Sequence, residues 1–369
     1  MKRLPLWMLL AILPALTLCG ACAWEPRYEP IAKEELLIGC VYYGEPLDQS
    51  WSGNHAAAAR RLLRDLELNE SQLLERWNVD GQNCGVALEE LAQAGCQIIF
   101  CTSFDHEPAM LAAAERYPDV QFCNCSGYLA TAGDLHNAHN YYGPVAEARY
   151  VAGVAAAEQS AGGRLGFIAA YPNAECVSGL TAFFLGARSV NPDIAMEVIY
   201  LNSWSDARAE QRAAQELIDR GADVLSNHTD SGEPLRLMAE LNHVCCVGWN
   251  AAPEPATAQL TRIICDWSVY MEYAVNCLLR GEPIDKDWRG GLAEGACAVA
   301  PLNRELADAA AQVRADAAQD SLISGELAVY AGPLYSPEGE LLLEAGETYQ
   351  EPCSAPGWDR LVAGITVLE

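Results

Sequence analysis

Short runs of β-forming apolar residues alternate with amphipathic stretches twice along this chain, and no other feature restricts its fold so tightly. The first round reads "LLIGCVYY" (36–43), a helix from about Gly53 to Leu66, "LLERWNV", a helix over "GVALEELAQAG", "CQIIFCT", a helix over "EPAMLAAAERY", and "VQFCNCS". After "GPVAEARYVAGVAAAEQS" the pattern restarts with "RLGFIAA", a helix near 175–190, "AMEVIYL", a helix over "ARAEQRAAQELIDRG", "ADVLSNH", a helix near 232–242, and "HVCCVGW". Gly95 and Gly221 fall where helix C-caps precede the next strand. This alternation builds parallel sheets covered on both faces by helices and joined by right-handed crossovers. Two rounds predict two α/β lobes, which 369 residues can fill.

The first 21 residues stand apart. "MKR" supplies a short positive region, "LPLWMLLAILPALTL" an apolar segment too short and Pro-interrupted to span a bilayer comfortably, and Gly20-Ala21-Cys22 a cleavage site. Residues 1–21 therefore read as an export signal. The small residues before Cys22 resemble a bacterial lipobox, although Cys19 occupies the usual aliphatic position, so Cys22 is the expected lipid-bearing residue and anchors the chain to the outer side of a cell membrane. Ordinary cleavage with free secretion is the other reading. Residues 22–35 follow as a polar, Pro-containing tether.

A net charge of −27, from 50 acidic against 23 basic residues, removes the basic footprint that a nucleic-acid partner requires. Of 15 cysteines, 13 remain once Cys19 leaves with the signal and Cys22 carries lipid, so at least one is unpaired. With no CxxC spacing to mark a zinc or redox site, they read mostly as small buried hydrophobes, and a few disulfides stay open. No metal or cofactor is expected.

Ligands of open α/β sheets bind beyond the carboxyl ends of the strands, and those ends are rich in aromatic and polar residues. The first carries Asp48, Trp51, Ser52, Asn54 and His55; the third carries Thr102, Ser103 and Phe104. The second round contributes Tyr171, Asn173 and Glu175, then Asn202 and Trp204, then His228, Thr229 and Asp230, then Trp249 and Asn250, and finally Asp266 and Trp267. Four of nine tryptophans fall in this set, which favours a flat heteroaromatic ligand held by stacking and read at its edge. Packing alternatives stand beside several of these. His55 is as well suited to a helix surface or cap, His228 and Asp230 to an N-cap cluster for the helix after "HTDSGE", and Arg149 to a packed crossover. "AGGRLG" (161–166) is a turn, because a strand rather than a helix follows it.

"GEPLDQSWSGNH", "EARYVAGVAAA", "LGFIAAYPNAE", "TAFFLGARSVNPD", "ADVLSNHTDS" and "AVYAGPLYSPEG" together resemble the basic membrane protein (Bmp) family of ABC-transporter substrate-binding lipoproteins, over about residues 36–340. The resemblance implies a type I periplasmic-binding-protein fold: two doubly wound parallel-sheet lobes joined by hinge crossovers, with lobe 1 from 36–143 plus about 268–315. Lobe 2 would take 144–267 plus part of 316–369. It also implies a purine nucleobase or nucleoside as ligand, and delivery to permease subunits rather than catalysis. By position, Trp51 would stack on the base and Asp48 would flank it, with Ser103 and Phe104 on the third-strand loop. Tyr171, Glu175, His228, Asp230 and Asn250 would face them from the second lobe. Where one branch of the family has Trp-Thr-Tyr, this chain has Trp51-Ser52-Gly53.

Stacking on one aromatic contributes roughly 1–3 kcal/mol, whereas micromolar binding needs about 8. Edge hydrogen bonds from Asp48, Glu175, Asp230 and Asn250 must supply the difference. A sensory receptor using the same cleft is the alternative function. A nucleoside-processing enzyme is weaker still, for want of clustered aspartates or a Ser-His-Asp set. Hinge motion is expected near Tyr142–Ala146 and Cys265–Trp267.

Overall fold

A computed structural model describes residues 28–45, 51–250, 257–352 and 357–368. The expected signal, the Cys22 lipid site and Asp48 lie outside the described residues.

The first round of alternation produces β1 (Ile38–Val41), α1 (Trp51–Asp65), β2 (Leu73–Arg76), α2 (Cys84–Gln93), β3 (Ile98–Cys101), α3 (Glu107–Arg116), β4 (Gln121–Cys125) and β5 (Ala138–Tyr142). The second produces α4 (Ala146–Gln159), β6 (Arg164–Ala169), α5 (Ala174–Val190), β7 (Ala195–Tyr200), α6 (Ala207–Asp219), β8 (Val224–His228), α7 (Glu233–Asn242), β9 (Cys245–Trp249) and β10 (Gln259–Cys265). Then follow α8 (Ser268–Arg280), β11 (Asp287–Arg289), β12 (Cys297–Val299) and α9 (Ala309–Ser324). A tail of two-stranded pairings, β13 (Tyr330–Ala331), β14 (Leu334–Tyr335), β15 (Leu341–Leu343) and β16 (Thr348–Tyr349), leads to β17 (Ile365–Val367).

Two sheets result, of strand order β11-β5-β4-β3-β1-β2 and β12-β10-β9-β8-β6-β7-β17. All pairings within them are parallel except β10 with β12. The central strands β1, β3 and β8 are buried at every position, as parallel strands covered on both faces must be. Local chemistry sets the helix starts. Asn173, Asp206 and Asp308 each accept a hydrogen bond from the backbone N–H three residues on, at 3.0, 2.9 and 2.8 Å. Gly95 and Gly221 take φ of +94° and +98° just after α2 and α6, the left-handed conformation that releases the chain into the next strand.

Two helices pack closely enough to need glycine. A Cβ on Gly153 of α4 would stand 1.9 Å from the Phe183 carbonyl oxygen of α5, and one on Gly186 would stand 2.0 Å from that of Tyr150. The α4–α5 pair is thereby locked backbone to backbone beneath the second sheet.

Three crossovers join the sheets: 143–145 between β5 and α4, 266–267 between β10 and α8, and 290–296 between β11 and β12. The third corrects the expected partition. Residues 297–315, assigned from the sequence to the first lobe, instead add β12 to the edge of β10 and seat α9 against α4. The physical reason is the open edge of β10, whose backbone groups need partners: Asp266 N donates to Ala296 O at 2.8 Å and Ala300 N to Arg262 O at 2.9 Å. The fold is that of a two-lobed type I periplasmic binding protein.

Candidate ligand site at the junction of the two sheets

The carboxyl ends of β1 and β3 meet those of β8, β9 and β10 across a band of aromatic side chains. Trp51 opens α1 and its indole N–H donates to the carbonyl of Thr102, the residue after β3, at 2.5 Å. Its ring lies 5.0 Å from His55, one turn along, and 5.1 Å from Trp267 in an edge contact. His55 in turn stacks on Trp267 at 4.6 Å and 11°. Because Nδ1 of His55 meets the Trp51 carbonyl at 3.0 Å, Nδ1 carries the proton and Nε2 is left as a bare acceptor with no partner among the described residues. Burial pushes this imidazole down to about 3, so it is neutral at physiological pH.

The opposite wall is built around His228, the last residue of β8. Its ring lies 4.6 Å from Trp249 and 6.2 Å from Trp204, which is 5.7 Å from Tyr171. Beneath them Arg149 from α4 is fully buried. It places its guanidinium 4.6 Å from the Trp249 ring and donates to Ser226 Oγ at 3.2 Å and Asn227 O at 2.9 Å. Burial lowers Arg149 to about 9, which leaves it charged at neutral pH. Burial and that adjacent cation push His228 well below its ordinary value. Glu175 completes the wall with Oε1 3.9 Å from His228 Nε2 and 24% of its side chain accessible. Desolvation, reinforced by the Glu351 carboxylate, lifts it to about 7. An aromatic wall thus carries one carboxyl group that changes charge near neutrality.

Direct hydrogen bonds tie the two walls together. Asn54 Nδ2 on α1 donates to the Cys265 carbonyl at 2.7 Å and to Asn250 Oδ1 at 3.3 Å; the same oxygen accepts from Cys265 N at 3.3 Å. Asn250 takes φ of +55° just after β9, and its Nδ2 has no partner among the described residues. Two turns further along α1, Arg61 pairs with Asp266 at 2.5 Å.

Of the residues expected at a ligand, Trp51, His55, Tyr171, Glu175, Trp204, His228, Trp249, Asn250 and Trp267 come together here. His55 and Trp267 are buried, at 0 and 1% exposure, by packing against each other. Ser52 is turned away, its Oγ accepting from Gly44 N at 2.8 Å to close the β1–α1 loop. Ser103 donates to Asp105 at 2.5 Å, and Phe104 is 57% exposed and stacked on Tyr128 at 6.0 Å, so this pair forms a rim. Asp230 sits on the loop beside Trp204, whose carbonyl accepts from Asp230 N at 2.8 Å. The N-cap reading of His228 and Asp230 is not realised. Gly232 precedes α7 without a side-chain cap, and Glu210 instead gathers Thr229, Ser231 and Leu235 N.

Three participants were given no ligand role from the sequence, although Asn54 was named at its strand end and Arg149 as a packing residue. Arg149 lay within an alanine-rich helix that reads as packing. Asn54 was flanked by stronger candidates. Glu351, buried beside Tyr330 and accepting from Ser178 Oγ at 2.6 Å, comes from a tail without periodicity to mark it.

Residues 36–331 match the Bmp family model, described as ABC transporter substrate-binding protein PnrA-like. A purine-binding protein of Brucella abortus is 34% identical over 343 residues, covering 90% of this chain and 94% of its own. A Haloferax volcanii protein named for glucose binding in an ABC transporter, TsgA13, is 30% identical over 320 residues, covering 85% of this chain and 79% of its own. Among solved structures, an ABC transporter solute-binding protein from Conexibacter woesei superposes with a TM-score of 0.68 at 22% identity. It covers 79% of this chain and 97% of that one, and attests the fold.

Proposed function

This chain belongs to the Bmp family of ABC transporter substrate-binding proteins, and from that premise we propose that it binds a purine nucleobase or nucleoside between its two lobes and delivers it to a permease. The observation that carries this reading is the junction itself. Aromatic rings stand on both sides of it, Trp51 against Thr102 and Trp267 on one and Trp204 and Tyr171 beside His228 on the other, where the partly accessible carboxyl of Glu175 approaches His228 at 3.9 Å. A purine offers two π-faces to such walls, together with ring and exocyclic N–H groups that a carboxylate accepts. The purine-binding relative, similar along nearly its whole length, supports the same choice of ligand.

Lobe 1 comprises β1–β5, α8 and β11, and lobe 2 comprises β6–β10, β12, α9 and the tail. Ligand entry separates Asn54 from Asn250, and closure restores that contact around the bound purine. Trp51 stacks on the base, while Glu175, Asn250, Asp230 and Asp48 read its edge. The mature chain begins at Cys22, carries lipid there and faces outward from the cell membrane; Cys22→Ala should release it from the membrane fraction.

A thermal-shift screen of the unlipidated chain against nucleobases, nucleosides, sugars and amino acids tests the ligand assignment. A ligand at 100 times its dissociation constant adds about 2.7 kcal/mol of stability. Stabilisation by purines supports the reading, and stabilisation by glucose without any purine response overturns it.

A further inference from the structure

Twelve described cysteines are all unbonded, yet two of them are placed unlike the rest. Cys265 ends β10 and Cys297 begins β12, and the antiparallel register sets them directly opposite each other. Which kind of pair they form follows from the neighbouring hydrogen bonds. Asp266 N donates to Ala296 O and Ala300 N to Arg262 O, so the hydrogen-bonded pairs are 262/300 and 266/296, with 264/298 between them. Cys265/Cys297 is therefore a non-hydrogen-bonded pair. Such pairs bring Cα atoms to about 4.5 Å with both side chains on one face, inside the roughly 4.4–6.8 Å span that a disulfide bridges.

Their location gives the pair a consequence. Cys265 is the last residue before the crossover 266–267, and Cys297 is the first after the crossover 290–296. The remaining crossover passes alongside: a Cβ on Gly143 would lie 3.4 Å from Cys297 Sγ and 3.2 Å from the Trp267 ring. All three connections between the lobes thus converge on these two sulfur atoms.

The geometry points to Cys265 and Cys297 as a reversible disulfide site that, when oxidised, clamps two of the three interlobe crossovers together. A low-molecular-weight disulfide is the oxidant. One cysteine thiolate attacks it to form a mixed disulfide and expels a thiolate; the second cysteine then attacks the mixed disulfide and expels the other half. One protein S–S bond is formed and one small-molecule S–S bond is broken. The two cysteine protons end on the two released thiols, and the oxidant gains the two electrons. Both cysteines are only 1% exposed, so exchange proceeds through conformers in which the junction is open, and it is slow in the closed form.

The full chain is incubated with glutathione disulfide, quenched with an alkylating reagent and digested with trypsin. The expected product joins peptide 263–280 to peptide 290–304, with fragment ions placing the bond on Cys265 rather than Cys277. Amide exchange over residues 290–296 should slow by about tenfold or more on oxidation and return on reduction. Cys297→Ala, or Cys265→Ser should that variant misfold, should show no such change. Absence of the linked peptide, or linkage only of Cys84 to Cys101, overturns the site. A linked peptide without slower exchange overturns the clamp. Neither readout depends on which ligand the protein binds.

Discussion

Replacing Glu175 by glutamine should stabilise the unliganded protein at alkaline pH while abolishing its response to ligand. Burial and the Glu351 carboxylate raise Glu175 from 4.5 to about 7, and at 1.36 kcal/mol per pH unit that rise is worth about 3.4 kcal/mol at most. With 24% of the side chain accessible, solvent screening reduces this to about 1–3 kcal/mol. Because the folded value lies above the unfolded one, the folded chain retains a proton that the unfolded chain releases. The stability associated with this group is fully present below pH 4.5 and is lost as pH rises through 7. Buried His55 and His139, pushed down to about 3 and 4, and His228, well below its usual value, act in the opposite sense, losing stability as pH falls below 6.5. They cancel in the difference between wild type and Glu175→Gln. Urea unfolding at pH 4.5 and pH 8 should therefore show near-equal stability at the lower pH and a variant about 1–3 kcal/mol more stable at the higher. A difference that is flat with pH, or larger at pH 4.5, would refute the assignment of a desolvated carboxyl to this wall.

Trp51→Ala should weaken purine binding by about 1–3 kcal/mol in a calorimetric titration while leaving a cooperative unfolding transition; unchanged affinity would make Trp51 a packing residue. Asn54→Ala removes the bonds to Cys265 O and Asn250 Oδ1, so small-angle scattering of the unliganded chain should report a larger radius of gyration than wild type. Gly153→Ala drives a methyl group into the Phe183 carbonyl and should cost about 3 kcal/mol, read as a lower urea midpoint. An unchanged midpoint would mean that α4 and α5 can separate without loss.

Strands β1 to β4 and β6 to β9 were legible because each carries a short apolar or β-forming run between helical stretches, unbroken in the doubly buried β1 and β3, and their helices because small and polar residues alternate at helical spacing. β5 escaped this reading. "AHNYY" is polar by sequence, and its burial is tolerated because His139 meets Gln121 Oε1 at 2.8 Å and the Asp285 carbonyl at 3.2 Å, contacts no local pattern announces. The return of β12 to the second sheet was equally hidden, since three residues carry too little periodicity and the edge they join is set by distant chain. At the site, the aromatic residues stood out by their placement after strands. Arg149 and Glu351 did not, because their role depends on which groups burial brings beside them.

Isothermal calorimetry of the unlipidated chain with adenine, guanosine and glucose in parallel tests the central claim most directly. The account predicts one-to-one binding of a purine in the micromolar range or tighter, with a negative heat-capacity change as the aromatic walls close on it, and no heat from glucose. Saturable glucose binding with no purine heat would contradict it.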